Sequence, residues 1–418
     1  MNRWIRIYFI MGFILISSLV TAQQRFPKPE FHTDYTQPSP TTPEPRSLTL
    51  EYFDILVLIT ILVTASWFIL RSRSRRGILW LSVFTLIYFG FYRKGCICPI
   101  GAIQNVAFSF SDPNYTISWI VMAFFLAPLI FTLFFGRTFC AAGCPLGAIQ
   151  DLVVIKPVSL PLWLRQILGI IPYIYLGLAV LYAVTGTDFI ICRYDPFIGI
   201  FRMDAPFHMV VLGISFLLMG MFVARSYCRF LCPYGVLLNW MSRFSKWHLT
   251  ITPSECIRCK LCADSCPFDA IESPGEEKSV ASQGTKVQQF ILYFLLIPVW
   301  ILAGAYSVSR SSDFLARANQ DVYLAELLIS HPELKDDPDN IDIQVFLASG
   351  KSMENQIDDA LIIRKKFRTG SWFLGGFLGL VIGVKLMNQL IFRKRKDYEP
   401  NRGDCYSCGR CMDYCPVK

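Results

Sequence analysis

Two runs of cysteine residues have the spacing of iron–sulfur ligands. The first run, from Cys256, reads C-I-R-C-K-L-C-A-D-S-C-P, and the second, from Cys405, reads C-Y-S-C-G-R-C-M-D-Y-C-P. Both match the C-x2-C-x2-C-x3-C-P pattern with which bacterial ferredoxins hold [4Fe-4S] clusters. Structural zinc sites usually pair one C-x2-C with a second ligand pair a dozen or more residues away. The spacing therefore predicts two [4Fe-4S] clusters and a role in electron transfer.

The pairing of the two runs follows from the same pattern. In two-cluster ferredoxins the fourth cysteine of each run binds the cluster of the other run. If the runs pair in this way, one cluster has the ligands Cys256, Cys259, Cys262 and Cys415. The other cluster then has the ligands Cys405, Cys408, Cys411 and Cys266.

Three further segments each contain Cys-Pro-x-Gly followed by a short apolar stretch. They read G-C-I-C-P-I-G-A-I-Q-N, F-C-A-A-G-C-P-L-G-A-I-Q-D and Y-C-R-F-L-C-P-Y-G-V-L-L-N. Proline suits the first turn of a helix, so the preceding cysteine should lie at a helix N-terminus, where the dipole favours a thiolate. Two of these segments predict a further iron–sulfur or other metal centre, with the ligands Cys140, Cys144, Cys228 and Cys232. The alternative is that these four are buried packing residues.

The remaining three cysteines, Cys96, Cys98 and Cys192, are one too few for a cluster bound by cysteine alone. They could bind a cluster with a ligand of another type, or form a disulfide with one thiol spare. The charged residues around Cys192 are expected to form a solvated ionic cluster. They are Asp188, Arg193, Asp195, Arg202 and Asp204.

The composition is that of a polytopic membrane protein. The 418 residues are 53% hydrophobic and only 17% charged, with a mean hydropathy of +0.42. This is too apolar for a soluble protein of such length. The net charge of +9 comes from Lys and Arg beside apolar runs, so it indicates no nucleic-acid partner. The 15 cysteines in so long a chain do not indicate a disulfide scaffold.

Seven apolar runs approach the ~20 residues that a helix needs to cross a bilayer. They lie at about 50–70, 78–92, 117–135, 163–186, 208–224, 288–308 and 371–391. Basic clusters follow the first, fifth and seventh runs: Arg71, Arg73, Arg75 and Arg76; Arg225, Arg229, Arg243 and Lys246; and Arg393 to Lys396. The positive-inside rule then places both ferredoxin runs in the cytoplasm. The predicted fold is an all-α polytopic membrane protein of about seven helices with a cytoplasmic two-cluster ferredoxin-like module, in a bacterial inner membrane.

This interpretation divides the chain into eight segments. They are a signal peptide (1–22), a proline-rich periplasmic linker (23–48), a five-helix membrane domain (49–247), the first ferredoxin segment (248–287), a transmembrane helix (288–308), a periplasmic loop (309–370), a transmembrane helix (371–392) and the second ferredoxin segment (393–418). Other cofactors lack their motifs. The four histidines and the absence of C-x-x-C-H argue against haem, and no nucleotide-binding glycine motif occurs.

The paired ferredoxin runs beside membrane C-x3-C-P motifs resemble the membrane-bound polyferredoxin family of the NosR/NapH type. The matching residues are Cys140 and Cys144-Pro145, Cys228 and Cys232-Pro233, and the two ferredoxin runs. The resemblance implies electron transfer between a cytoplasmic-side donor or quinone and a periplasmic redox partner. Regulator-type members also carry an N-terminal flavin-binding domain, and no such domain is evident here. The first Cys-Pro motif departs from the family because Lys94 stands where the earlier cysteine would be.

The leading hypothesis is an integral-membrane electron-transfer subunit, which relays electrons from the two clusters through the membrane cysteines to the outer side. It names no catalytic residue and leaves open whether the chain is an enzyme by itself. One alternative is a transmembrane thiol reductant that cleaves an outer disulfide through Cys96 and Cys98. Another is a non-catalytic redox sensor or assembly factor.

Overall fold

The structure is a computed structural model that describes residues 47–95, 98–252, 256–274, 281–331, 341–348, 351–388 and 395–417. The predicted signal peptide, nearly all of the predicted linker and Cys96 lie outside these residues.

Among the described residues, six apolar helices form the frame of the first half of the chain. They are α1 (Leu48–Trp67), α2 (Arg75–Thr85), α4 (Trp119–Phe135), α6 (Leu162–Leu168), α7 (Ile171–Val184) and α10 (Phe207–Gly220). π-Helical segments extend two of them, α1 through Phe68–Ser72 and α2 through Leu86–Tyr92. Such segments widen a helix locally and often lie next to functional sites. Their packed faces form one continuous apolar core, which includes Leu62 and Phe89.

Four short helices begin with proline, and all four lie inside this frame. They are α3 (Pro99–Ser109), α5 (Pro145–Leu152), α9 (Pro196–Arg202) and α12 (Pro233–Arg243). Proline is favourable at the first helical position because its fixed φ suits the helix and its missing N–H would be unpaired there. In each case the residue before the proline is extended and occupies the N-cap position: Cys98, Cys144, Asp195 and Cys232, respectively. Of these four, only Asp195 accepts a capping hydrogen bond with its side chain. Two helical turns, α8 (Ile190–Arg193) and α11 (Ser226–Phe230), precede α9 and α12.

The described residues contain four helices that are long and apolar enough to cross a membrane, and five if a pair bent by 107° counts as one span. The four are Leu48–Ser72, Leu162–Val184, Phe290–Ser309 and Met353–Asn388, and the bent pair is α9 with α10. The mostly helical architecture with apolar helices of membrane-spanning length is thus confirmed. Each of the seven apolar runs lies largely in helix, but the number of crossings stays a prediction.

The second half begins with a helical hairpin of α14 (Ala281–Ser309) and α18 (Met353–Asn388). Glycines let these two helices approach closely: a Cβ on Gly375 would overlap the backbone of Gly304, and one on Gly379 would overlap that of Trp300. Small residues serve this purpose in membrane helix pairs generally. Because α18 is continuous from Met353, the predicted boundary at residue 370 lies inside a helix. Between the two lie α15 (Ser312–Ala316), α16 (Gln320–Ser330) and α17 (Ile341–Ala348).

The two ferredoxin segments come together although the hairpin separates them in sequence. The first contributes α13 (Leu261–Ser265) and β1 (Ile271–Glu272), and the second contributes β2 (Glu399–Pro400) and α19 (Arg410–Tyr414). The strands pair antiparallel, with Ile271 opposite Pro400 and Glu272 opposite Glu399. This small sheet, which the sequence did not predict, fixes the register between the segments and so positions both cysteine runs.

Candidate iron–sulfur sites

The first cysteine group, group A, surrounds one cavity. Its members are Cys256, Cys259, Cys262 and Cys415. The apolar side chains of Ile251 and Val417 also line the cavity. The backbone at Arg258 and Lys260 is left-handed, with φ of 56° and 67°, so the loop wraps around the cavity before α13 begins. The structure therefore brings together the four cysteines that ferredoxin pairing predicts.

The second cysteine group, group B, lies beside group A and consists of Cys266, Cys405, Cys408 and Cys411. The Cys266 thiol is close enough to the Cys408 thiol for their charges to interact, which is here called electrostatic range. The Cys411 thiol is within electrostatic range of Cys262 in group A. Backbone N–H groups face two of the sulfurs, and the N–H of Ser407 donates to Cys405 Sγ at 3.4 Å. Burial raises the pKa of the Cys405 thiol to about 12, so its thiolate needs a cation nearby.

The donor chemistry of these groups fits iron–sulfur clusters better than single ions. All 14 described cysteines are free thiols. Within the described ranges, no three His, Cys, Asp or Glu side chains converge as ligands of one ion would. Ligands of a cluster stand further apart because each binds a different iron, and four thiolates are the usual set for [4Fe-4S]. Groups A and B have this composition.

The third cysteine group, group C, is enclosed by the membrane domain and consists of Cys140, Cys144, Cys228 and Cys232. These thiols lie within electrostatic range of one another. Cys144 and Cys232 are buried and precede α5 and α12, so two helix N-termini face the group. Those termini favour negative charge, which suits thiolates and an anionic cluster. The structure thus brings together all four predicted membrane ligands.

Glycine at the third position of α5 and of α12 lets the earlier cysteine of each motif come close. A Cβ on Gly147 would lie 3.2 Å from the carbonyl oxygen of Cys140, and one on Gly235 would lie 3.4 Å from that of Cys228. A larger residue at position 147 would push Cys140 away from the start of α5, whereas a methyl group at position 235 would make only an ordinary contact with Cys228. The glycine of the Cys-Pro-x-Gly pattern therefore has a packing reason at Gly147.

Groups B and C are joined by a fully buried arginine. Arg225 has no exposed surface, and its Nη1 donates to the carbonyl oxygen of Cys140. Its charge is also within range of Cys228 in group C and Cys408 in group B. The guanidinium lies 5.8 Å from the ring of Tyr406, within cation–π range. A permanent positive charge therefore lies between the two groups.

A buried carboxylate, Asp151, neutralises the basic residues at this junction. Its oxygens lie 2.6 Å from Arg75, 3.2 Å from Arg410 and 3.7 Å from Arg225. Arg75 also donates to the carbonyl oxygen of Cys408 at 2.7 Å. Burial alone would raise the pKa of Asp151, but the three guanidinium groups lower it to about 2. Arg75 and Arg225, which the sequence places among charges flanking the spans, are thus internal structural residues.

Cys98 and Cys192, named the outer pair after their predicted side of the membrane, lie next to group C. A Cβ on Gly101 would lie 2.9 Å from Cys192 Sγ, so the cysteine approaches α3 closely. Cys98 is within electrostatic range of Cys144 in group C, and the two groups share one core. Cys192 is exposed. Cys96, the third predicted member, lies outside the described residues.

The predicted ionic cluster around Cys192 is correct in part. Asp188 and Arg193 form an exposed pair at 3.0 Å, and Arg202 and Asp204 are exposed. Asp195 is different because it is only 3% exposed, so its placement in a solvated cluster was wrong. Its side chain caps α9 by accepting a hydrogen bond from the N–H of Phe197 at 2.9 Å. The Asp-Pro pair in the sequence is the signal for this helix start.

Two protein families, each described as a 4Fe-4S binding domain, match parts of the chain. One matches residues 77–118, 117–170 and 205–252, and the other matches residues 249–272. The first family covers all three Cys-Pro motifs, and the second covers the run from Cys256. No solved structure is similar enough to the chain to count as a match.

Several named proteins are similar to part of the chain. The regulatory protein NosR of Pseudomonas aeruginosa is 28% identical over 230 residues, which are 49% of this chain and 31% of NosR. The protein NirI of Paracoccus denitrificans is 28% identical over 228 residues, which are 48% of this chain and 33% of NirI. The chain resembles the membrane polyferredoxins of the NosR/NapH type.

The chain thus has an iron–sulfur electron-transfer role in a membrane, as predicted. It aligns with about a third of NosR and of NirI. An uncharacterized protein of Methanocaldococcus jannaschii is 26% identical over 191 residues, which are 44% of this chain but 77% of that protein. The aligned part of this chain therefore corresponds to most of a shorter protein.

Proposed function

We propose that the protein relays electrons between a cytoplasmic-side donor, or a quinone pool, and a periplasmic redox partner. In this proposal groups A and B each hold a [4Fe-4S] cluster and group C holds a third centre. The chain lies in a bacterial inner membrane, with groups A and B in the cytoplasm. The seven apolar runs and the three basic clusters support this orientation.

The observation that carries the proposal is the position of group C between group B and the outer pair. On one side, the Tyr406 hydroxyl donates to the carbonyl oxygen of Cys228 at 3.1 Å. On the other side, Cys98 lies within electrostatic range of Cys144. Groups A, B and C and the outer pair therefore form a continuous series through the protein.

Such a series meets a physical requirement of electron transfer across a membrane. The hydrocarbon core of a bilayer is ~30 Å thick, which is too far for one efficient step without an intermediate centre. Packing residues alone would give no reason to collect four thiols at two helix N-termini. The matches to 4Fe-4S binding domains at these motifs support a cluster in group C.

Residues of this chain stabilise negative charge at group C and keep water away from the junction with group B. Iron–sulfur clusters, when bound, accept and donate one electron at a time. The helix N-termini at Cys144 and Cys232 and the buried cation of Arg225 stabilise negative charge at group C. Full burial of Arg225 and the close packing of Tyr406 exclude water from the junction with group B. Low water content keeps the charge rearrangement on electron transfer small.

Electron transfer across a sealed bilayer tests the proposal. Proteoliposomes with trapped ferricyanide would receive membrane-impermeant dithionite outside, and absorbance would report reduction of the trapped dye. Wild-type protein should reduce it in either orientation. Cys232→Ala should abolish reduction while keeping the clusters of groups A and B. Ser215→Ala, a buried change in α10, is the matched control. Equal rates for Cys232→Ala and wild type would contradict the proposal.

A further inference from the structure

A helix that starts at group C and one that starts at the outer pair share a sequence segment and a local structure. Both α3 and α5 start with the segment P-x-G-A-I-Q, and both glutamines are completely buried. Gln104 Oε1 accepts from the N–H of Ile191 at 2.8 Å, and Gln150 Oε1 accepts from the N–H of Tyr227 at 3.1 Å. Ile191 immediately precedes Cys192, and Tyr227 immediately precedes Cys228. One internal repeat thus positions a cysteine beside each helix start.

The repeat extends to the helix that follows each of these cysteines. In group C this helix is α12, and its capping residue is the ligand candidate Cys232. Beside the outer pair the helix is α9, and its capping residue is Asp195. Both capping residues are extended and precede a proline, with φ and ψ of −60° and 113° for Cys232 and −80° and 109° for Asp195. Asp195 therefore has the place in the outer half that a cysteine has in group C.

The surroundings of Asp195 are those of a ligand rather than of a cap alone. Its Oδ1 satisfies the cap, while Oδ2 is buried and accepts no well-formed hydrogen bond, although the Tyr227 hydroxyl lies beside it. Within the described ranges Asp195 forms no salt bridge with a basic side chain. A buried carboxylate is costly unless it is neutralised by a proton or by a cation, and a bound iron would be such a cation. Cys98 and Cys192 are both within electrostatic range of it.

We propose that Asp195 is a ligand of an outer iron–sulfur cluster, which it holds together with Cys98 and Cys192. This rests on the proposed function, because such a cluster is the outermost member of the relay. A carboxylate donates less electron density to iron than a thiolate does. The outer cluster should therefore have a higher reduction potential than an all-cysteine cluster, as clusters with two histidine ligands do. The exposed Cys192 places it where a partner outside the membrane can reach it.

Two substitutions separate ligation from helix capping. Asparagine at position 195 keeps the capping hydrogen bond but is a poor ligand to iron. Cysteine is a poor cap but a good ligand. Iron and acid-labile sulfide per chain, with EPR-monitored redox titration, should be measured on full-length protein purified without oxygen. Asp204→Asn, an exposed carboxylate in the following segment, is the matched control.

Ligation predicts opposite results for the two variants. Asp195→Asn should lose one cluster, up to about four irons per chain, and its EPR signal. Asp195→Cys should keep that iron and shift the same signal to a lower potential. If Asp195 is only a cap, Asp195→Asn keeps all iron and every potential, which would overturn the proposal. Loss of iron from Asp195→Cys would overturn it equally.

The iron contents of the variants distinguish an incorrect assignment of Asp195 from an incorrect assignment of group C. The signals of groups A and B report that each variant is folded. A cluster in group C is tested by Cys232→Ala, which leaves Asp195 in place. If Cys232→Ala loses iron and Asp195→Asn does not, group C is a centre and the outer ligand is wrong. If Asp195→Asn loses iron and Cys232→Ala does not, group C is not a centre.

Discussion

The hydroxyl of Tyr406 donates a hydrogen bond of 3.1 Å to the carbonyl oxygen of Cys228. Tyr406 lies between two cysteines of group B, and Cys228 belongs to group C. The bond therefore connects a ferredoxin segment directly to the membrane cysteines, through a side chain that is only 6% exposed. The guanidinium carbon of Arg137 lies over the same ring, 4.7 Å from its centroid.

Removing this hydroxyl should weaken the contact without removing a cluster. Tyr406→Phe should keep the full iron content, because the ring still packs against Phe268. The lost hydrogen bond should lower stability by about 0.5–1.5 kcal/mol. Electron transfer from group B to group C should become slower, as measured with the trapped-dye assay. The control is Tyr414→Phe, since Tyr414 is exposed at the end of α19. Loss of iron from Tyr406→Phe would contradict this account.

Arg225 should set the potentials of the two groups that it touches. A buried positive charge stabilises the more negative, reduced state of a nearby cluster. Arg225→Gln should therefore lower the reduction potentials of groups B and C, by on the order of tens of millivolts. EPR-monitored titration measures this directly. Arg317→Gln, a change in an exposed ion pair with Glu326, should leave all potentials unchanged. A rise in potential in Arg225→Gln would refute the electrostatic role.

Asp151 should stabilise the junction because three arginines share its carboxylate. Asp151→Asn leaves three guanidinium groups without their buried counter-ion, and breaking such a network typically costs ~3–5 kcal/mol. Thermal unfolding should therefore occur at lower temperature, and residues 395–417 should become more accessible to protease. Asp413→Asn removes an exposed carboxylate of α19 and is the control. Equal thermal stability of the two variants would show that Asp151 does not stabilise the junction.

The contribution of Asp151 should also depend on pH in a defined direction. Its pKa is about 2 in the folded protein, below the ordinary value of 3.8. The folded state thus holds the ionised form more strongly than the unfolded state does. The stability difference between wild type and Asp151→Asn should be constant above about pH 5 and should shrink as the pH falls from 4 towards 2. A difference that grows on acidification would contradict the assignment.

The hairpin of α14 and α18 should depend on individual glycines. Gly379→Ala would place a methyl group against the backbone of Trp300, so the helices must separate and thermal stability should fall. Gly376→Ala is the matched control, since its nearest neighbour, Ile301 Cγ2, would be at an ordinary 3.5 Å. Because α18 leads into the second ferredoxin segment, Gly379→Ala should also weaken the docking of group B. Similar unfolding temperatures for both variants would rule out this packing.

The cysteine groups could be proposed from the sequence because their information is local. Four cysteines within one short run specify a loop around a cluster, and a Cys-Pro pair specifies a helix start. The grouping of Cys140 and Cys144 with Cys228 and Cys232 followed from repetition of that signal. The repeat P-x-G-A-I-Q was also visible, and it could have revealed the roles of Gln104 and Gln150.

Buried charges could not be predicted in the same way, because their partners are distant in sequence. Asp151 meets Arg410 only when the second ferredoxin segment docks. Arg75 pairs with Asp151 and donates to the carbonyl oxygen of Cys408 in that segment. Asp54 lies completely buried against Arg93 at 2.9 Å, inside an apolar run that alone indicates only a membrane span. Charge patterning along one segment cannot show which charges will be enclosed by others.

The central claim is that group C holds a redox centre between the ferredoxin clusters and the outer side. Iron and acid-labile sulfide per chain, measured with EPR on reduced protein purified without oxygen, test it most directly. The account predicts clearly more than about eight irons, the total for two [4Fe-4S] clusters. The number of irons above about eight should be lower in both Cys144→Ala and Cys232→Ala. About eight irons in wild type, unchanged in both variants, would contradict it.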